Sequence, residues 1–330
     1  MPTIARRSFL TSTVAAALFA PALVRPAAAR TTSLTVASLL GEDKPETKIW
    51  RHIAERVESR MPGRFRFNIV ANGALGGEKE VAEATRLGAV QASLSTVSSL
   101  SGWVPELQIL DLPFLYRDAA HMARVVNGET GAELAGKLEA EAFVATGFID
   151  YGARHLLAKE PILRPQDMAG RKIRVIQSPL HTKLWSGFGA VPVGIPITET
   201  YNALSTGVAD AMDLTKSAYA GFKLYEVVPV MMLTGHIRAS GVVYFAGSFW
   251  SGLSPEEKQV LAEASREGAA FFNALIVADE EKSVATALSH GGQALDVPDI
   301  AEWRLGARGV WEAFAPVVGG QARIDAVEAI

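Results

Sequence analysis

Polar and apolar residues alternate over residues 33–38, with Leu34 and Val36 at apolar positions, a period of two that specifies a strand. A polar turn at 41–44 leads to Pro45, a residue tolerated at the first position of a helix because its missing N–H would be unpaired there. Ile49, Trp50, Ile53, Ala54 and Val57 then recur at helical spacing and leave Lys48, Arg51, Glu55 and Glu58 on the outer face. Met61-Pro62-Gly63 ends that helix, and 64–70 returns to period two with Phe65, Phe67 and Ile69 on one face. A glycine-rich loop at 72–77, an amphipathic helix at 78–87 and a strand at 90–94 follow. The alternation resumes after Val144, with strands expected at 144–149, 155–158 and 172–176 and helices at 179–187 and 198–206. Strands and helices in this order imply an α/β sandwich with a largely parallel sheet.

One segment departs from that rhythm. From Ser254 to about His290 the pattern is helical throughout, opened by Ser254 as N-cap, Pro255 in the first turn and Glu257 three residues on, which together form a capping box. At ~1.5 Å per residue such a helix runs about 50 Å, longer than one lobe of a chain this size. No Gly/Ser or Pro-rich tether and no internal repeat interrupts the chain. Two lobes joined by ordered strands are therefore expected.

Composition narrows the function by exclusion. The 330 residues suffice for two cores. A formal charge of −3 without a basic stripe argues against a nucleic-acid partner. The absence of cysteine removes disulfides, thiolate metal sites and cysteine nucleophiles. No H-E-x-x-H, G-x-S-x-G, Walker loop or G-x-G-x-x-G occurs, so no enzyme class is indicated. The N-terminus reads R-R-S-F-L-T-S from Arg6, then an apolar run from Val14 to Val24 and A-A-A at 27–29. This is the layout of an export signal of the twin-arginine (Tat) kind, with cleavage expected near Ala29 and a periplasmic destination. Pro21 and Pro26 interrupt the run, which is shorter than the ~20 residues of a membrane span. Loss of Arg6, Arg7 and Arg25 on cleavage takes the formal charge from −3 to −6.

The stretch 170–213 carries the most specific signal: G-R-K-I-R-V (170–175), G-A-V-P-V-G-I-P (189–196) and E-T-Y-N-A-L-S-T-G-V-A-D (199–210). Around it lie N-G-A-L-G-G-E-K-E at 72–80, E-L-Q-I-L-D-L-P-F-L-Y at 106–116, G-A-R-H at 152–155 and K-L-Y-E-V-V-P-V-M-M-L-T-G-H at 223–236. In this order the segments resemble the solute-binding subunits of TRAP transporters, the DctP-type periplasmic receptors for organic acids. The resemblance implies a two-lobed periplasmic binding protein with a ligand cleft between lobes and a long helix spanning both. It places lobe I at 30–152, completed by about 241–272, and lobe II at 153–240, completed by about 273–330. It implies a small organic carboxylate as ligand and TRAP membrane permease subunits as partners, with no cofactor and no metal indicated. A receptor serving a sensor kinase is the alternative within the binding class, and an exported α/β hydrolase the alternative outside it.

Carried over residue by residue, the resemblance makes Arg174 the bidentate carboxylate anchor and Arg154 its support. Arginine suits that role because its planar fork donates two parallel hydrogen bonds and keeps its charge. Where many members of the family have asparagine after the V-D motif, this chain has Leu214. The change favours a monocarboxylate with an apolar or amino-acid-like body over a dicarboxylate or a heavily hydroxylated sugar acid. Glu42 and Asp43 follow the first strand, where open α/β sheets place ligand crevices; a solvated helix-start turn fits them equally. Asp150 and Asp213 flank the predicted arginine and clamp positions and could receive a ligand ammonium, or serve as structural ion pairs. Trp185 is a candidate cleft wall or core residue, and Trp103 a core residue. Glu78 and Glu80 read as first-turn helix acids, and His155 and His236 as satisfied histidines at a lobe junction.

Overall fold

The computed structural model describes residues 31–330; the export signal expected at 1–29 lies outside the described residues. Nine strands form one sheet: β1 (Thr32–Ala37), β2 (Phe65–Val70), β3 (Ala92–Thr96), β4 (Phe143–Ala158), β5 (Lys172–Val175), β6 (Val191–Gly194), β7 (Ala211–Thr215), β8 (Val230–Ala246) and β9 (Gln293–Leu295). Their order across the sheet is β2-β1-β3-β8-β4-β7-β5-β6, with β9 against β8. The flanks are parallel, β2-β1-β3 on one side and β7-β5-β6 on the other. The middle is not. β3 pairs antiparallel with β8, β8 with β4, and β4 with β7. The expectation of a largely parallel sheet is corrected accordingly, because two strands of 16 and 17 residues run through both flanks.

Those two strands account for a second difference. The separate strands expected at 144–149 and 155–158 are one strand, β4. Its pairing with β8 shifts register between Ala145 and Gly147, between Asp150 and Ala153, and between Arg154 and Leu156. Gly152, at φ +90°, sits in the second of these irregularities and interrupts the apolar alternation there. The first half of β4 pairs with residues 240–246 of β8, the second half with 230–238 and with β7. Each long strand thus contributes one half to each flank.

The capping box of the long helix is present as the sequence predicts. Ser254 Oγ accepts from Glu257 N at 3.2 Å, Ser254 N donates to Glu257 Oε2 at 2.7 Å, and the helix runs Pro255–Ser289. It packs against the helix Pro45–Arg60, against β4 and against the helix Lys216–Gly221, touching both flanks of the sheet. The close approach to the first helix falls at Gly268, where an added Cβ would lie 2.6 Å from Ile53 Cγ1 and 3.2 Å from Ile49 Cγ1. Gly268→Val is expected to overpack this contact and cost about 1–3 kcal/mol, read as a lower guanidinium midpoint at unchanged slope; an unchanged midpoint would mean that the two helices separate without penalty.

Leu34, Ile49, Trp50, Ile53, Leu94 and Phe272 belong to one apolar cluster, and Leu157, Leu204, Met212, Tyr219 and Leu224 to another. The C-terminal helices Ile300–Val318 and Gln321–Ala329, expected to complete lobe II, contact segments assigned to both lobes. Trp303 packs on Trp185 and Phe188, while Trp311 Nε1 donates to Pro113 O at 2.9 Å and His121 Nε2 meets Val327 O at 2.9 Å.

Candidate functional site

The second flank of the sheet brings two arginines together. Arg154 on β4 stands opposite Thr215 of β7, and Arg174 on β5 opposite Met212 of β7. Along β5 the period of two sends Ile173 and Val175 into the apolar cores and Arg174 to the other face. Both guanidinium groups are buried, each side chain 2% exposed, and both line the same cleft.

Their surroundings separate their roles. Arg154 is neutralised: Nε donates to Asp213 Oδ2 at 2.6 Å and Nη2 to Asp213 O at 2.7 Å. Burial disfavours its charge, but Asp213 more than offsets this and raises its pKa. Burial likewise works against the Asp213 carboxylate, yet Arg154, with His236 at 3.2 Å and His181 at 3.8 Å, holds it well below the usual range. Arg174 has only the backbone carbonyl of Ile195, at 2.8 Å from Nε. Among the described residues it forms no ion pair. Burial first, and then the like charge of Arg154, bring its pKa down to about 10. Arg174 thus keeps a buried charge with no carboxylate in contact among the described residues, an arrangement that is costly unless a partner is supplied.

Two acids face the same space. Glu46 and Glu78 both line the cleft with Leu39, Tyr151, Ile176 and Phe222 among its walls, around some 470 Å³ of unfilled space that is partly open to solvent. Glu78 Oε1 accepts from Thr96 N at 2.6 Å, and desolvation raises its pKa against that bond and the two arginines. Glu46 is 5% exposed, its Oε1 has no hydrogen-bond partner, and burial reinforced by the charge of Glu78 pushes its pKa up to about 8. Neither acid forms an ion pair among the described residues. Lys44, two residues before Glu46, is committed to Asp279 at 3.1 Å and Ser283 at 2.9 Å.

The sequence reading leaves Glu46 out and takes Glu78 only as a first-turn helix acid, though a signal for both exists. Glu46 is three, four and seven residues before Ile49, Trp50 and Ile53, and Glu78 stands in the same relation to Val81, Ala82 and Thr85, all buried. An acid on the apolar stripe of its own helix is turned inward, not toward water.

Of the other sequence candidates, Leu214 lines the cleft. Glu42 does not: its carboxylate pairs with Arg51 at 2.6 Å, both side chains about half exposed. Asp43 is exposed and absent from the lining. Asp150 pairs with Arg238 at 2.6 Å and lines a different hollow, with Asn273 and Glu280. Trp185 is fully buried against Phe188, His236 and Trp303, a core position away from the cleft. Asp213 lies behind Arg154 and orients it.

Residues 36–316 match the family described as bacterial extracellular solute-binding protein, family 7 (DctP). The chain belongs to this DctP family. A solute-binding protein of Verminephrobacter eiseniae is 32% identical over 251 residues, 76% of this chain and 75% of the relative. The crystal structure of a TRAP periplasmic solute-binding protein from Bradyrhizobium, in complex with galacturonate, superposes at a TM-score of 0.88 with 27% identity, covering 91% of this chain and 100% of that one. One from Shewanella oneidensis with bound succinate gives 0.87 and 26%, covering 91% and 99%. These are receptors, not enzymes, and this DctP-type chain shares their two-lobed α/β fold. Such receptors bind small organic acids and work with membrane permease components. No helix among the described residues is long and apolar enough to cross a membrane.

Proposed function

We propose that this TRAP receptor binds a small monocarboxylate, with the ligand carboxylate bidentate on Arg174 and the two lobes closing over it for delivery to the permease. The carrying observation is the asymmetry of the two arginines. Arg154 is already matched by Asp213, so one buried positive charge remains unmatched. One free guanidinium suits one carboxylate. A second carboxylate would have to ionise beside Glu46 and Glu78, in a space where burial already disfavours the charge of both acids. Leu214 in the lining adds apolar wall where a polar clamp would serve a second acid group. The Bradyrhizobium and Shewanella receptors, holding galacturonate and succinate, mark the neighbouring classes against which this reading is set. We place the lobe boundary at the irregular crossing of β4 and β8, near 150–153 and 238–240, where hinge rotation is absorbed by few residues.

Thermal unfolding of the refolded protein against butyrate, lactate, pyruvate, isovalerate, alanine, valine, 4-aminobutyrate, succinate and galacturonate tests the reading. A ligand at ~1,000 times its Kd stabilises by about 4 kcal/mol, a rise of several degrees. The expected result is a rise with one or more monocarboxylates. A rise confined to succinate or galacturonate would move the ligand to the dicarboxylates or sugar acids. No rise with any acid would remove the carboxylate reading itself.

A further inference from the structure

We infer that Glu46 and Glu78 form a cation subsite opposite Arg174, so that the natural ligand is zwitterionic, a carboxylate and an ammonium on one small body. The inference rests on the carboxylate reading above and names the other half of the ligand.

Unmatched charge decides it. With Arg154 closed off by Asp213, the cleft presents Arg174, Glu78 and Glu46. A simple carboxylate would satisfy Arg174 and leave Glu46 Oε1 without a donor and Glu78 without a cation in contact among the described residues. A zwitterion satisfies both ends and brings no net charge into a closing cleft. The Glu46 side chain supports a donor-rich partner: 95% of it is buried, it lines the cleft, and its Oε1 is unpartnered. A buried oxygen left without a donor is rare, and an ammonium supplies three. Tyr151 and Phe222 line the same space, and aromatic rings beside carboxylates are favourable surroundings for an organic cation. A metal ion fits less well, since no group of three or more potential ligands is gathered among the described residues. A ligand hydroxyl could donate one hydrogen bond to Glu46 but would bring no cation to Glu78.

Proton traffic distinguishes the cases. Burial and the neighbouring Glu78 favour the protonated form of Glu46 in the empty cleft. Glu78, Arg174 and Arg154 are the other charged groups facing this space, with the Tyr151 hydroxyl neutral. An arriving ammonium favours ionised Glu46 and expels its proton; an arriving plain carboxylate adds negative charge and keeps the proton on.

The test is calorimetric titration of the refolded protein, with EDTA present, using matched sets: 4-aminobutyrate, 4-hydroxybutyrate and butyrate; alanine, lactate and propionate; valine, 2-hydroxyisovalerate and isovalerate. In the set that fits the cleft, the ammonium member is expected to bind about tenfold or more tightly than its partners. It should also release protons, seen as heats that differ between buffers of different ionisation enthalpy. Glu46→Gln and Glu78→Gln should each reduce that preference, and Glu46→Gln should abolish the proton release. If hydroxy or plain acids bind as tightly as the amino acids, still dependent on Arg174, the cation subsite is wrong and the carboxylate reading survives. If no member of any set binds, both fall.

Discussion

Asp213→Asn is expected to destabilise the protein by about 3–5 kcal/mol at neutral pH. The carboxylate is fully buried and its Oδ2 takes the Arg154 Nε at 2.6 Å. An asparagine keeps an oxygen there but removes the charge, leaving the Arg154 guanidinium buried beside Arg174 with nothing of opposite sign in contact. His236, at 3.2 Å from the same oxygen, then faces an amide in place of a carboxylate. Denaturant unfolding measures the loss, and a change under about 1 kcal/mol would show that solvent or Glu78 already compensates Arg154. The double variant Arg154→Met/Asp213→Leu, which removes both charges, should recover most of the stability. The pH profile carries the same information with a fixed sign. The folded pKa of Asp213 lies well below its ordinary 3.8. Its contribution is therefore complete above the unfolded value and disappears as pH falls through the folded one. The wild type should lose that increment only in strong acid, whereas Asp213→Asn lacks it at every pH.

What the sequence discloses and what it hides follow from the range of each interaction. The long helix is legible to within one residue at either end because its capping box and periodicity are local. Arg154, Arg174 and Leu214 are recognisable from their motifs, and the fold brings all three to one cleft. The continuity of β4 is hidden because register shifts at 150–153 and 154–156 break its period of two, and only the facing strand β8 reveals them. Asp150 and Trp185 are misplaced by adjacency: standing beside a cleft residue in sequence or on the following helix does not fix which way a side chain points. Glu42 and Asp43 sit at the end of the first strand as supposed, but the surface ion pair to Arg51 claims Glu42. Glu46 and Glu78 show the reverse error. A first-turn acid is usually read as a partner for the helix dipole, and that reading conceals the inward stripe both share with buried apolar neighbours.

Arg174→Met should change binding and stability in opposite directions. Removing the anchor of a desolvated charge pair costs about 2–5 kcal/mol of affinity, roughly 30-fold to several thousand-fold in Kd. Any monocarboxylate that raises the wild-type melting temperature should lose nearly all of that effect. The empty protein is expected to become more stable, because Met fills similar volume without a buried charge. Burial, and then the like charge of Arg154, bring the Arg174 pKa down to about 10, so its charge is disfavoured in the folded protein. The sign follows from proton binding. Between the folded and unfolded values the unfolded chain holds the proton more firmly, so the penalty is complete below pH 10 and fades above it. The variant should accordingly gain stability at neutral pH and lose the advantage in strong base. Unfolding curves with and without the stabilising acid read both effects in one experiment. A destabilised variant that still binds would assign Arg174 to the fold through its bond to Ile195 O. A stabilised variant that no longer binds assigns its charge to the ligand, since a site that strains the empty protein and relaxes only when filled is maintained for what fills it.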